Sequence, residues 1–141
     1  MNKIPVPVDG SAQSVLAALW AIQRAGESGG KVTVLHVYEM PAEDAMGLAN
    51  LPKEEVIALK QSHGEPSFAP VRESLAEAAD DVQYEVAIGD PAEEIVSFAR
   101  HQGYDHIVMG SRGRSLVREL LLGSISESVL HHAPCAVTII R

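Results

Sequence analysis

Short apolar, β-branched runs alternate with helix-patterned segments along all 141 residues of this chain, and that alternation leaves few folds open. Ile4 to Val8 reads as a first strand, ended by Asp9-Gly10. Ser11 can then cap a helix in which Val15, Leu19 and Ile22 recur at helical spacing, closed by Gly29-Gly30. Val32 to Tyr38 is a second strand, rich in β-branched residues. Residues 40–50 read as a loop, and Lys53 to His63 as a helix. The run Gly64-Glu-Pro-Ser-Phe-Ala-Pro70 is expected to break that helix, with another over Ser67 to Ala79.

Val82 to Ile88 supplies a third strand. Asp90-Pro-Ala-Glu93 then combines a capping aspartate, proline at the first helical position and a glutamate three residues after the cap. The helix it starts should bury Ile95, Phe98 and Ala99 and stop at Gly103. His106 to Met109 and Ala136 to Ile140 are the fourth and fifth strands. Strands separated by helices predict an α/β fold in one domain spanning residues 1–141, with a parallel sheet and helices on both faces.

Charge narrows the function. A formal net charge of −8 argues against nucleic acid, whose phosphates are held by clustered Lys and Arg. With 46% hydrophobic and 21% charged residues, composition is that of an ordinary soluble domain. No stretch approaches a membrane span, and the N-terminal residues have no apolar signal-peptide core, so no membrane insertion and a cytoplasmic location are expected. The lone Cys135 reads as a small buried hydrophobe. The six histidines show no metal-ligand spacing and read as structural or surface residues, so no metal site is expected.

One pattern carries chemistry. After the apolar run ending at Met109 come Gly110-Ser-Arg-Gly113, nine further residues, and Gly123-Ser124 opening a helix. A strand, a glycine loop and a helix start can wrap backbone N–H groups around phosphates. Arg112 and Arg114 within it either reach phosphates or stay solvated. Ser124 with Glu127 also reads as a capping box, and Asp9-Gly10-Ser11 also reads as a turn with a helix cap.

Taken with Val6-Pro-Val-Asp9-Gly-Ser11, with Val37 ending the second strand, and with the tail Leu130-His-His-Ala-Pro-Cys-Ala-Val-Thr-Ile-Ile140, that pattern resembles the universal stress protein family. The resemblance covers the whole chain and is weakest between residues 40 and 80. It implies a Rossmann-like open parallel five-stranded sheet in the order 3-2-1-4-5. Asp9 and Gly110 then end adjacent strands at the switch in winding, where open α/β sheets bind ligands.

The family's nucleotide-binding members hold ATP there, usually with a divalent cation such as magnesium. Carried over by position, the main chain of Val37 would meet the adenine edge, Asp9 and the Gly110 backbone would hold the ribose, and Met109 beside Gly110 counts among the nucleotide-binding residues. Gly113, Gly123, Ser124 and the Ile125 N–H would face the phosphates, with Arg112 counted in the same nucleotide-binding set. Two features depart from the family's pattern: Pro5 beside Pro7 in the first strand, and the 64–70 break flanking the adenine side.

The reading is thus an ATP-binding stress-response module, with no catalytic residues assigned. A nucleotide-free adaptor acting through protein contacts is the alternative, and a slow ATP hydrolase is another. The chain has no G-x-x-x-x-G-K-[ST] loop, which removes the phosphate-bridging lysine of P-loop enzymes. An apolar fifth strand at the sheet edge also predicts a homodimer through Ala136 to Ile140.

Overall fold

In a computed structural model, residues 2–75, 81–111 and 122–141 are described. The elements follow in the order β1 (Lys3–Pro7), α1 (Ala12–Ser28), β2 (Lys31–Glu39), α2 (Ala42–Gly47), α3 (Lys53–Ser74), β3 (Val82–Gly89), α4 (Pro91–His101), β4 (His106–Gly110), α5 (Ser124–His132) and β5 (Ala136–Ile140). Among the described residues every strand pair is parallel. Even-numbered residues of β1 and β2 (Ile4, Val6, Val32, Val34) pack with Ala17, Ala21, Phe68 and Val71 of α1 and α3. Leu35, Ile107 and Met109 face the other way, onto Ile95, Val96 and Ala99 of α4 and Val129 of α5. The sheet is therefore covered by helices on both faces, as expected of an α/β fold.

The ladders form two hydrogen-bonded sheets, β1-β2-β3 and β4-β5, and not the single five-stranded sheet expected. The prolines explain the division. Val8 N–H donates to the Leu35 carbonyl and Lys31 N–H to the Asn2 carbonyl, so even-numbered residues of β1 bond to β2. Odd-numbered residues point toward β4, which lies alongside β1. On that side Pro5 and Pro7 have no N–H, and the Lys3 N–H goes to the Asp105 carboxylate at 3.0 Å. Bonds across this seam can only run from β4 to β1, as from Asp105 N–H to the Lys3 carbonyl at 3.1 Å. Asp105 also accepts from the Asn2 N–H, and these two backbone donors hold its carboxyl below its ordinary pKa.

Three helical expectations need correction. Residues 42–50, expected as loop, form α2 and a 3₁₀ turn over Leu48–Asn50. Within α1 the fully buried stripe is Ala17, Ala18, Ala21 and Ala25 together with Ser14, while Val15 and Ile22 only flank the core. Small residues let this helix lie close to the strands: a methyl on Gly110 of β4 would sit 3.3 Å from the Gln13 main chain.

The third correction is larger. No break occurs at residues 64–70; α3 runs unbroken through Pro66 and Pro70. Each proline removes one helical N–H, from the Ser62 and Pro66 carbonyls respectively. Burial of Phe68 and Val71 offsets that loss. Gly64 is no terminator either, because it sits where α3 touches β3, with no room for a side chain against Val86 and Phe68. Caps elsewhere follow expectation: Ser11 accepts from the Ser14 N–H, Asp90 accepts from the Glu93 N–H, and Gly29 closes α1 in the left-handed region.

Candidate functional site

β1 and β4 end side by side, and the chain turns away from each at a residue whose backbone is held from several directions. After Val8, Asp9 accepts the Ser11 N–H at 2.9 Å through Oδ1. Its own N–H donates to Ser14 Oγ at 3.3 Å, and Ser14 Oγ donates to the Ser11 carbonyl at 2.9 Å. Gly10 takes a φ of 86°, which lets the chain reverse into α1. The turn-and-cap reading of Asp9 is therefore satisfied, and Asp9 also lines the crevice beyond the strand end.

On the β4 side, Gly110 is buried and its carbonyl accepts Ser126 Oγ–H at 2.9 Å. Ser111 N–H donates to the Ile140 carbonyl at 2.9 Å, tying the strand end to β5. Gly123 N–H donates to the Ser111 carbonyl at 2.7 Å, so the chain on either side of residues 112–121 is drawn together. Arg112 and Gly113 of the expected site lie outside the described residues.

Gly123, not Ser124, is the N-cap of α5, and no side chain caps that helix. The expected Ser124–Glu127 capping box does not form, because Ser124 is already the first helical residue. Glu127 instead approaches His131 at 4.0 Å. The Ser124 and Ile125 N–H groups belong to the first turn and have no intrahelical acceptor. They sit at the positive end of the helix dipole.

These ends enclose a crevice of about 780 Å³, within the range of small-molecule sites. Seven of the nine expected site residues line it: Asp9, Val37, Met109, Gly110, Gly123, Ser124 and Ile125. Val37 enters through its main chain. Odd-numbered residues of β2 direct their backbone toward β1, and β1 has already ended where Val37 stands. Its N–H and carbonyl are thus directed past the end of β1, where a heterocycle edge could be read.

The remaining walls were missed in the sequence. His36, Tyr38 and Glu39 of β2 and His63 and Ser67 of α3 also line the crevice. His36 Nδ1 donates to the Val8 carbonyl at 3.0 Å, and His36 Nε2 lies 2.7 Å from His63 Nδ1. His63 stacks on Tyr38 with ring centroids 3.6 Å apart. The histidines taken as structural or surface residues therefore include two at the crevice. The only available signal was alternation in β2, which puts His36 on the α3 face among buried valines.

The universal stress protein family model matches residues 1–141. This chain belongs to the universal stress protein family. Universal stress protein MJ0531 of Methanocaldococcus jannaschii is 34% identical over 147 residues, covering 99% of this chain and 82% of that protein. The solved structure of MJ0577 superposes with a TM-score of 0.75 at 25% identity, covering 99% of this chain and 94% of that one. Two further family structures share the fold. One is in complex with cAMP (TM-score 0.64, 24% identity, 99% and 96% coverage), and one from Archaeoglobus fulgidus is in complex with dAMP (TM-score 0.67, 21% identity, 100% and 98% coverage). No helix among the described residues is long and apolar enough to cross a membrane.

Proposed function

We infer that this universal stress protein is a regulatory module that holds an adenine nucleotide, with ATP as the physiological ligand, in the crevice beyond β1 and β4. One observation carries the reading. Asp9, Val37, Gly110, Gly123 and Ser124, drawn from both ends of the chain, line a single crevice of about 780 Å³. The family structures in complex with cAMP and dAMP support an adenine ligand.

Each group has a chemical task. The Val37 backbone offers one donor and one acceptor, which match N1 and the N6 amino group of adenine. Asp9 lines the crevice, and a carboxylate is the acceptor that ribose hydroxyls call for. Met109 and Gly110 floor the ribose side. Ser124 and Ile125 present first-turn N–H groups to phosphate, with Gly113 and Arg112 assigned to the same end. The Gly123 N–H is already taken by Ser111, so that glycine contributes close approach and not a donor. ATP would bring magnesium on its phosphates.

A helix dipole contributes about 0.3–2 kcal/mol, whereas micromolar affinity needs about 8 kcal/mol. Most of the affinity must therefore come from burying the base and from several simultaneous backbone bonds. Among the described residues β5 pairs with β4 alone, and its Val137 to Ile140 are half-buried; we assign that edge to a homodimer. The cytoplasm is the expected compartment.

Mass spectrometry of nucleotide released from freshly purified protein, with calorimetric titration of Mg-ATP, tests the reading. Bound adenine nucleotide and loss of the titration heat in Asp9→Ala are expected. No retained nucleotide and no heat at millimolar Mg-ATP would overturn it.

A further inference from the structure

Four serines are buried among the described residues, and three of them have their hydroxyls engaged. Ser14 Oγ donates to the Ser11 carbonyl, Ser126 Oγ to the Gly110 carbonyl, and Ser111 Oγ to Gln13 Oε1 at 3.1 Å. Ser67 is the most buried of the four, at 1% exposure, and its Oγ has no hydrogen-bond partner among the described residues. A helical serine can satisfy its hydroxyl on the carbonyl four residues earlier. Ser74, later in the same helix, does so on the Pro70 carbonyl at 2.8 Å. Ser67 does not take that local bond. A buried hydroxyl left unpaired works against folding, so a ligand that completes it gains in affinity what the folded chain forgoes.

The position of Ser67 says which part of a ligand it meets. It lies on the wall that α3 contributes to the crevice. His63, one turn earlier on the same face, lies 2.7 Å from His36 Nε2 through its Nδ1. The ring of Phe68, the next residue, meets His36 edge-on with centroids 6.2 Å apart. These two contacts set Ser67 alongside His36, the residue before Val37 in β2. Helix α3 packs on β2, β3 and α1, whereas the far end of the crevice is built from Gly123, Ser124 and Ile125. Ser67 therefore belongs to the end where Val37 presents its backbone. Pro66 lines the same wall and leaves the Ser62 carbonyl without its helical donor, so this stretch of α3 carries polar groups that the helix does not use.

We propose that Ser67 is a base-specificity residue of the crevice, its hydroxyl donating to a ring nitrogen of the purine. This rests on the nucleotide reading above. With N1 and the N6 amino group of adenine on the Val37 backbone, N3 and N7 are the ring acceptors left, and either is served by an O–H donor. The hydroxyl is shielded from water as the wall stands. A turn of χ1 between staggered positions brings it to a base lying against α3. Selectivity follows, because a wall that hydrogen-bonds its ligand rejects an analogue that leaves the buried group unpaired.

Calorimetric titrations of the full chain with Mg-ATP and with its 7-deaza and 3-deaza analogues test this, in wild type and in Ser67→Ala. One analogue should bind wild type about five- to tenfold more weakly than ATP, and which one identifies the nitrogen. Ser67→Ala should lose a similar factor for ATP and bind that same analogue as well as wild type does. Its urea midpoint should not fall, so the lost affinity is not lost folding. Unchanged ATP affinity in Ser67→Ala, the outcome if the hydroxyl serves only a buried water, would overturn the proposal. So would wild type that binds both analogues as it binds ATP, or a variant that still discriminates as wild type does. Wild type that binds no ATP at all would overturn the nucleotide reading itself, so the two failures are distinct.

Discussion

Replacing Gly64 by alanine sets two physical effects against each other, and the structure decides between them. Gly64 lies inside α3, where glycine is less favourable than alanine by about 1 kcal/mol, so propensity alone predicts that Gly64→Ala stabilises the protein. The packing predicts the reverse. A Cβ built at residue 64 lies 2.6 Å from Val86 Cγ2 and 2.8 Å from Phe68 Cε2. Neither atom can yield cheaply: Val86 is β-branched on a paired strand, and the Phe68 ring is 5% exposed and packed edge-on to Tyr84. Reaching ordinary contact at 3.4 Å requires the helix and strand to separate by about 0.8 Å. Overpacking of this kind costs about 1–3 kcal/mol and, because both contacts fall on buried partners, the upper half applies. The net expectation is destabilisation of about 1–2 kcal/mol, or a Tm lower by about 3–8 °C for a domain of this size. Calorimetry would read it, with Gly26→Ala as the internal control. Gly26 is also helical but has nothing within 4 Å of its added methyl, so that variant should gain about 0.5–1 kcal/mol. A Gly64→Ala protein as stable as Gly26→Ala would refute the close approach of α3 to β3.

Asp105→Ala should cost about 1 kcal/mol by removing the acceptor of the Asn2 and Lys3 N–H groups, measured by urea unfolding. Because those bonds hold the Asp105 carboxyl below its ordinary value of 3.8, its contribution is complete above that value. It fades as pH falls through the lower folded value, so the gap between wild type and variant should close on strong acidification. Ser126→Ala removes the hydroxyl that donates to the Gly110 carbonyl; it should lose about 1–2 kcal/mol and bind adenine nucleotide more weakly in a calorimetric titration. Ser67→Ala should be neutral or stabilising in chemical denaturation, because Ser67 Oγ is buried without a hydrogen-bond partner among the described residues.

What was legible in the sequence is what local chemistry decides. Ser11 and Asp90 cap the helices expected of them, because a cap acts over three residues. The strands fell within a residue or two of their positions, because β-branched runs carry their own signal. The rest depends on partners distant in the chain. Gly64 reads as a stop until Val86, 22 positions away, is known to lie against it. The alanine stripe of α1 was hidden behind Val15, Leu19 and Ile22, because tight packing against β1 and β4 rewards small residues over large ones. His36 and His63 stand 27 positions apart, and no spacing rule joins a strand residue to a helix residue at that distance.

The prolines of β1 explain why the crevice stays open at the ends of β1 and β4. A continuous ladder between β1 and β4 would draw the two strand ends together and make Asp9 and Gly110 the next residues of a closing seam. Pro5 and Pro7 remove every donor that β1 could offer toward the upper part of that seam. Asp105 instead fastens the opposite end, by accepting from Asn2 and Lys3. At the crevice end the strands are anchored away from each other. Val8 is held to β2 through Leu35 and His36, and the β4 terminus is held to β5 and α5 through Ile140 and Ser126. The seam is thus fixed at one end and parted at the other. Pro5 acts in the same direction as Pro7, since both lie on the side of β1 that faces β4. Pro5→Val would restore one N–H to the seam, and the direct consequence to measure is nucleotide affinity. If the parted seam shapes the ribose pocket, that variant gains stability and loses affinity together; affinity unchanged at higher stability would show that the anchors on β2 and β5 suffice.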